Sequence, residues 1–322
     1  MKIIITGVTG FIGSNLAARL LDIGHSVMGI DNLSYGFERN LELIKNHPNF
    51  SFSVGDIANP FVLKDAHADI LVHLASQKIP RYTTALRTLE ENYLMLRNVV
   101  HKCNQDKTKI IFASTSDVYG KNPNLPFGEE SDLVMGPTTV KRWAYALSKI
   151  YGEHFIIANH EEYGLRYTIT RFFGSFGPNQ NLTWWGGPQS VFIEKAFKNE
   201  PIDIHGDGSQ TRTFTYVSDT VNALVLCIEN EKSDNEIFNT GCKPGSEICI
   251  KDLAILIWKL VNGKDSTPKL NFIPYSTFGK YEDVMRRVPD ISKICSTLNY
   301  QPEWELEDGL KVTIDWQKKL MA

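Results

Sequence analysis

The sequence predicts an α/β fold: a doubly wound parallel sheet with a second, smaller and mixed C-terminal domain. Three observations point there. The first half alternates short β-branched runs with amphipathic stretches. A glycine-rich turn stands between the first apolar run and the first amphipathic one. The alternation then breaks after about residue 172, where glycine, proline, tryptophan and asparagine crowd 174–188. Strands are expected at 2–6, 26–30, 50–54, 70–74, 109–113 and 167–170, and helices at about 11–23, 59–66, 83–104 and 140–162. Strand, helix, strand in this rhythm gives βαβ units, whose right-handed crossovers align the strand C-termini along one ligand-binding edge. Further on, helices are expected at about 188–199, 217–229 and 250–261, a strand at 236–240, and short loops through the rest of the C-terminal third. The division that follows is 1–172 with about 214–241 as one unit, and about 173–213 with 242–322 as the other.

The 322 residues are enough for a large core and two domains. A net charge of −3 offers no electrostatic reason to expect nucleic acid or a membrane surface as a partner. The five cysteines are odd in number and form no C-x-x-C pair, and no histidine spacing suits zinc, so free thiols and no metal are expected. The opening apolar run, 3–5, is too short for a signal peptide, and no window approaches a membrane span. A cytoplasmic protein is the expectation.

Gly7, Gly10 and Gly13 lie where the first strand turns into the first helix. Glycine lets the backbone turn tightly and approach a pyrophosphate, while the helix N-terminus offers free N–H groups; Phe11 and Ile12 supply the first of them. Asp31 ends the second strand, about 20 residues on, where a carboxylate can bind a ribose diol. That favours NAD, although Arg39 nearby keeps NADP open. Tyr145 and Lys149, at i and i+4, share a helix face. A free phenol is a poor base at neutral pH, but a neighbouring ammonium favours the phenolate, so the pair can take a proton from an alcohol. Thr115 closes the strand that leads into FASTSDVYG, where its hydroxyl can hold the substrate alcohol for Tyr145. The hydroxyls of Ser114, Thr115 and Ser116 also read as a capping cluster at a strand-to-loop turn.

TGVTGFIG (6–13), Asp31-Asn32-Leu33, Gly55-Asp56-Ile57, His73-Leu74-Ala75-Ser76, STSDVYG (114–120), YALSK (145–149), RFFGSFGP (171–178) and HGDGSQTRTFTYVSD (205–219) resemble the extended short-chain dehydrogenase/reductase family, in its nucleotide-sugar epimerase/dehydratase branch. The likeness covers nearly the whole chain. It implies a Rossmann-type fold, a tightly held NAD reduced and reoxidised within one turnover, and a nucleotide sugar as substrate. Tyr145 is implied as base, Lys149 on the nicotinamide ribose, and Thr115 on the sugar hydroxyl. Asn32, Asp56, Ile57, Leu74 and Ala75 are implied around the cofactor, with Lys78 near its phosphates or the substrate and Arg212 on the sugar nucleotide's diphosphate. A homodimer through a four-helix bundle, formed from the helices near 83–104 and 140–162, is also implied.

Three reactions of that branch begin by oxidising carbon 4 of the sugar. A 4-epimerase needs only Thr115, Tyr145 and Lys149, and the sequence leans that way. A dehydratase needs an additional acid, for which Asp117 stands where glutamate is usual, with Ser116 where some dehydratases place an aspartate. A decarboxylase of nucleotide-linked glucuronic acid is the third reading. STSDVYG and the run ending Arg142-Trp143-Ala144-Tyr145 look like that group, but Asn179 stands where it usually has arginine. Gly174 replaces a usual asparagine. Trp184 and Trp185 could stack on a base or sugar, or simply pin their loop. A remote alternative is a non-catalytic dinucleotide-binding protein.

Overall fold

The computed structural model describes residues 1–78, 84–278 and 282–321. In chain order the elements are β1 (Lys2–Thr6), α1 (Phe11–Asp22), β2 (Ser26–Asp31), β3 (Phe50–Val54), β4 (Ile70–His73), α2 (Ala85–Asp106), β5 (Lys109–Thr115), α3 (Trp143–Tyr163) and β6 (Tyr167–Phe172). They continue as β7 (Ser175–Phe176), α4 (Pro188–Phe197), β8 (Ile202–His205), β9 (Thr211–Thr213), β10 (Thr215–Tyr216), α5 (Val217–Glu229), β11 (Glu236–Thr240), β12 (Glu247–Cys249), α6 (Ile250–Asn262), β13 (Leu270–Ile273), α7 (Ser292–Leu298) and α8 (Leu306–Met321).

Seven strands form one parallel sheet in the order β11-β6-β5-β4-β1-β2-β3. Strand order reverses between β1 and β4, which opens a crevice beyond their C-terminal ends. The β1 sequence shows why the sheet is covered on both faces. Ile3 and Ile5 join the core with α1 and α5, through Leu16, Leu20 and Leu224; Ile4, of opposite parity, joins Met95, Val99 and Ile156 of α2 and α3. Each such isoleucine contributes about 1.5–3 kcal/mol by leaving water. Three small two-stranded sheets, β7–β10, β9–β12 and β8–β13, lie outside the large one.

Some boundaries differ from the expected ones. The helix expected at 59–66 is a single 3₁₀ turn, Pro60–Leu63: Asn59 caps the Phe61 amide, and Ala66 N–H bonds three residues back to Leu63 rather than four. The α2 helix begins at Ala85 behind a Thr84 cap; residue 83 lies outside those described. The α3 helix starts at Trp143, after successive i to i+3 turns from Pro137 to Val140 and from Val140 to Trp143. Where short loops were expected near the C-terminus, α7 and α8 form, and α8 buries Leu310, Ile314 and Gln317 on one face.

Candidate active site

A cleft of about 880 Å³ runs along the C-terminal edge of the sheet. Each residue singled out above as a candidate site residue lines it, from Gly7 at one end to Arg212 at the other.

One half is built on the first βα turn. Gly7 has φ +76°, and a Cβ there would sit 2.8 Å from the Ala75 amide nitrogen. A Cβ on Gly13 would sit 2.3 Å from the Gly7 carbonyl oxygen. The turn therefore admits no side chain, and the α1 N-terminus behind it, capped by Gly10 without a side-chain acceptor, leaves its first N–H groups facing the cleft edge. Asp31 accepts from the Thr9 amide (3.0 Å) and the Leu33 amide (2.8 Å). It thus fixes the turn and keeps its remaining lone pairs at the cleft. Asn32 donates to Asp56 (3.1 Å), and Asn98 of α2 donates to the carbonyls of Ile57 and Ala58, which holds that loop against the sheet. Leu74 and Ala75 continue β4 across the crevice. A narrow glycine turn with a carboxylate beside it and apolar walls fits a dinucleotide such as NAD.

At the centre, Thr115 ends β5. It accepts from the Asp117 amide (3.2 Å), the capping role, and it also hydrogen-bonds the Tyr145 hydroxyl, as does Ser76. Asn92 of α2 secures Ser76: it accepts from the Ser76 hydroxyl and the Gln77 amide, and donates to Ser148 of α3 (2.9 Å). Lys149 is buried and donates to the Ala113 carbonyl (2.8 Å), its nitrogen 6.0 Å from the Tyr145 ring centre.

Burial dominates the electrostatics of the Tyr145–Lys149 pair. Burial first, and the Asp117 carboxylate second, push the Tyr145 phenol above its ordinary value, against the Thr115 hydrogen bond and the charge of Arg287. Burial lowers Lys149 to about 7, with Glu153 opposing.

The end of the cleft beyond Tyr145 holds a charge cluster. Arg142 (3.1 Å) and Arg287 (2.9 Å) bind the same oxygen of Asp117. Arg142 (3.2 Å) and Arg212 (2.8 Å) both reach Asp283, which also accepts from Tyr275 (2.8 Å). Burial alone would raise both carboxyls; the arginines outweigh it, so Asp117 lies below its usual range and Asp283 is held at about 2. Burial lowers Arg287 to about 10, and its Nε finds no hydrogen-bond partner among the described residues. Lys78 stands close enough to feel Asp117, and burial lowers it. Ser116 is buried in the 3₁₀ turn that follows Thr115.

Four of the candidates also have contacts within the protein that bear on their roles. Asn179, at φ +70°, donates to Ser14 of α1 (3.2 Å), and its carbonyl accepts from Asn40; it joins the cofactor half, away from the arginines. Gly174 has φ +55°, and a Cβ would meet the Thr213 carbonyl oxygen at 2.3 Å, so the backbone accounts for the glycine. Trp185 stacks on Tyr35, while Trp184 packs on Phe192 and His205. Sequence reasoning passed over Arg287, Asp283, Tyr35, Ser76 and Asn92. Ser76 stood at the end of a motif already noted, and Arg286-Arg287 was a visible charge pair with nothing to tie it to the cleft.

Comparison with known proteins agrees with this geometry. Residues 3–241 match the family described as the NAD dependent epimerase/dehydratase family. A UDP-N-acetyl-alpha-D-glucosaminuronate decarboxylase from Bacillus cytotoxicus is 34% identical over 99% of this chain and 98% of that protein. The UDP-glucose 4-epimerase of Thermotoga maritima, solved with UDP-glucose, superposes with a TM-score of 0.88 at 28% identity, covering all of both chains. The UDP-glucuronic acid 4-epimerase of Bacillus cereus, solved with UDP-glucuronic acid and NAD, does so with a TM-score of 0.88 at 28% identity, covering 99% of this chain and all of that one. The matched region runs from β1 to the end of β11 and takes in the glycine turn, Thr115, Tyr145 and Lys149; the chain is an NAD-dependent enzyme and belongs to the NAD dependent epimerase/dehydratase family.

Proposed function

We propose that this enzyme removes CO₂ from a nucleotide-linked hexuronic acid by way of a 4-keto sugar. The observation that carries the reading is the pair Arg142 and Arg287 gathered on Asp117 next to Tyr145. Two guanidiniums on one carboxylate oxygen set Arg142 and Arg287 where a sugar carboxylate would lie. Arg287 lines the cleft, where its guanidinium would offer that carboxylate charge-assisted hydrogen bonds. The absence of arginine at position 179 counts for little, because Asn179 packs on α1. In this reading 1–172 with 214–241 carry the cofactor and the remainder carries the sugar nucleotide, with Arg212 on its diphosphate.

Gly7, Gly10, Gly13 and Asp31 would hold NAD, which would supply a hydride acceptor and donor for carbon 4 and a positive ring favouring the Tyr145 phenolate. Tyr145 takes the carbon-4 hydroxyl proton, with Thr115 and Ser76 orienting its oxygen. The carbon-4 ketone then stands β to the carboxylate. Cleavage of the carbon 5–carbon 6 bond sends its electron pair to the carbon-4 oxygen, where Tyr145 and Thr115 donate hydrogen bonds to the growing charge. CO₂ leaves, and carbon 5 takes a proton from solvent. Asp117 does not suit a dehydratase: ionised between two arginines, it has no proton for a departing hydroxyl.

A second reading, 4-epimerisation of the same acid, is favoured by the likeness to the uronic acid epimerase and needs no group beyond Thr115, Tyr145 and Lys149. Incubating the enzyme in deuterated water with UDP-glucuronic acid, and with its 2-acetamido analogue, separates the two. Decarboxylation yields CO₂ and a pentose labelled at carbon 5; an epimerised acid that retains its carboxylate defeats the proposal.

The five cysteines are free, which suits a reducing, cytoplasmic setting. Leu86 and Tyr93 of α2 and Leu147 and Tyr151 of α3 are exposed, with Tyr93 and Tyr151 in edge contact, which supports a homodimer through these two helices.

A further inference from the structure

We infer that Tyr35 and Trp185 form a clasp that keeps the cofactor in place while the sugar is in its keto state. The two rings are parallel, 4.0 Å apart with 7° between their planes, and both line the cleft. They arrive from opposite sides. Tyr35 follows Asp31 by four residues, on a loop lying directly on the phosphate turn: a Cβ on the next residue, Gly36, would fall 1.9 Å from Thr9 Oγ1. Trp185 belongs to the segment that links β7 to α4.

Polar contacts tie the same two segments together beneath the rings. Asn40 donates to the carbonyls of Thr9 (2.9 Å) and Asn179 (3.2 Å), and Asn15 of α1 donates to the Pro178 carbonyl (3.1 Å). Asn181 donates to the Tyr35 carbonyl (3.5 Å). The Trp185 turn is internally fixed, since Thr183 accepts from the Trp185 amide and Ser190 donates to the Asn181 carbonyl. A dinucleotide seated on Gly7–Gly13 therefore leaves on this side only if the rings part. Trp185 is thereby assigned to the cofactor and not to the sugar. The benefit is chemical. A reduced cofactor lost before the carbon-4 ketone is reduced would strand a keto product and leave the enzyme without its hydride.

This inference rests on the NAD dependence of the enzyme and not on which sugar reaction follows. The test is the rate at which bound NAD leaves, measured by chasing the purified holoenzyme with a fluorescent NAD analogue. Trp185→Ala and Tyr35→Ala should each speed release by about three- to tenfold, the range expected for one stacked aromatic pair. Trp185→Phe should restore most of the retention, and the double variant should be no faster than either single one, since each breaks the same contact. Unchanged release in both single variants, or fully additive effects, would overturn the clasp. So would a Trp185→Ala variant that raises KM for the sugar nucleotide while NAD release stays put. A wild-type protein with no bound nucleotide and no uptake of any would overturn the clasp and the cofactor together.

Discussion

Replacing Arg287 with methionine tests the carboxylate reading most directly. The side chain is buried at the sugar end, with one nitrogen on Asp117 at 2.9 Å. Methionine keeps much of the volume and removes the charge. Asp117 does not lose its counter-ion, because Arg142 stays on the same oxygen at 3.1 Å, so the fold should survive with little change in melting temperature. What disappears is one of the two guanidiniums on Asp117 that would meet a substrate carboxylate. A hydrogen bond to a charged group is worth about 1.5–3 kcal/mol, and truncating one side of a desolvated pair costs about 2–5 kcal/mol. A loss of about 2–4 kcal/mol corresponds to a roughly 30- to 1,000-fold drop in kcat/KM.

The assay follows CO₂ or pentose formation from UDP-glucuronic acid, beside calorimetric binding of UDP-glucose, which has the same diphosphate but no carboxylate. The variant should lose turnover of the acid and bind UDP-glucose within about threefold of wild type, as expected when the missing contact is not used. Arg287→Lys should recover part of the loss, keeping the charge without the planar fork. Two results refute the reasoning: kcat/KM on the acid changed by less than threefold, or UDP-glucose binding weakened as much as turnover. The latter would place Arg287 on the diphosphate.

Other outcomes follow from the same contacts. Asp117→Asn removes a charge that holds the Tyr145 phenol up, so the acidic limb of the pH–rate profile should move to lower pH with turnover reduced but present; a folded variant with no turnover would restore Asp117 as a proton carrier. Lys149 is lowered to about 7 in the fold, so between that pH and its unfolded value near 10.5 the unfolded chain binds the extra proton and stability rises with pH; NAD-free Lys149→Met should melt above wild type at pH 6, with the gap closing toward pH 10. Gly13→Ala drives a methyl into the Gly7 carbonyl and should purify with little or no NAD, read from the nucleotide released on denaturation.

The large sheet was legible in the sequence because a strand buried on both faces must be an apolar run, as 3–5, 70–72 and 110–112 are. The half of the site that sits on strand ends was legible for a related reason. Gly7, Asp31, Thr115 and the Tyr145–Lys149 pair each have their chemistry set within a few residues, by one strand end or one helix turn. Arg287 and Asp283 were not, because they belong to an irregular segment laid over the cleft. That segment is held in place by long-range main-chain bonds: the Thr211 amide to the Met285 carbonyl, and the Phe127 amide to the Val288 carbonyl. Neither bond leaves a local pattern. Tyr35 was invisible in the same way, since its meaning is the Trp185 ring, far from it in sequence. The α8 helix is a different failure: the spacing of Leu310, Ile314 and Gln317 was there to read, with a glutamine completing a face that apolar counting alone would end early.

If Tyr145 is the base, its surroundings set it against acting alone. Burial and Asp117 favour the protonated Tyr145 phenol, and burial lowers Lys149 to about 7. An opposite charge within about 4–6 Å moves a titration midpoint by roughly 1–3 pH units. The positive ring of an oxidised nicotinamide would be such a charge, and would be lost on reduction. In the proposed reaction the phenol would then favour keeping its proton while the sugar is a ketone, when a donor to the carbon-4 oxygen is needed. The ultraviolet difference between wild type and Tyr145→Phe should therefore show phenolate at lower pH in the NAD-loaded protein than in the NAD-free or NADH-loaded protein. Identical titrations in all three states would mean that the cofactor does not set the base, and that Arg287, already beside it, carries that role.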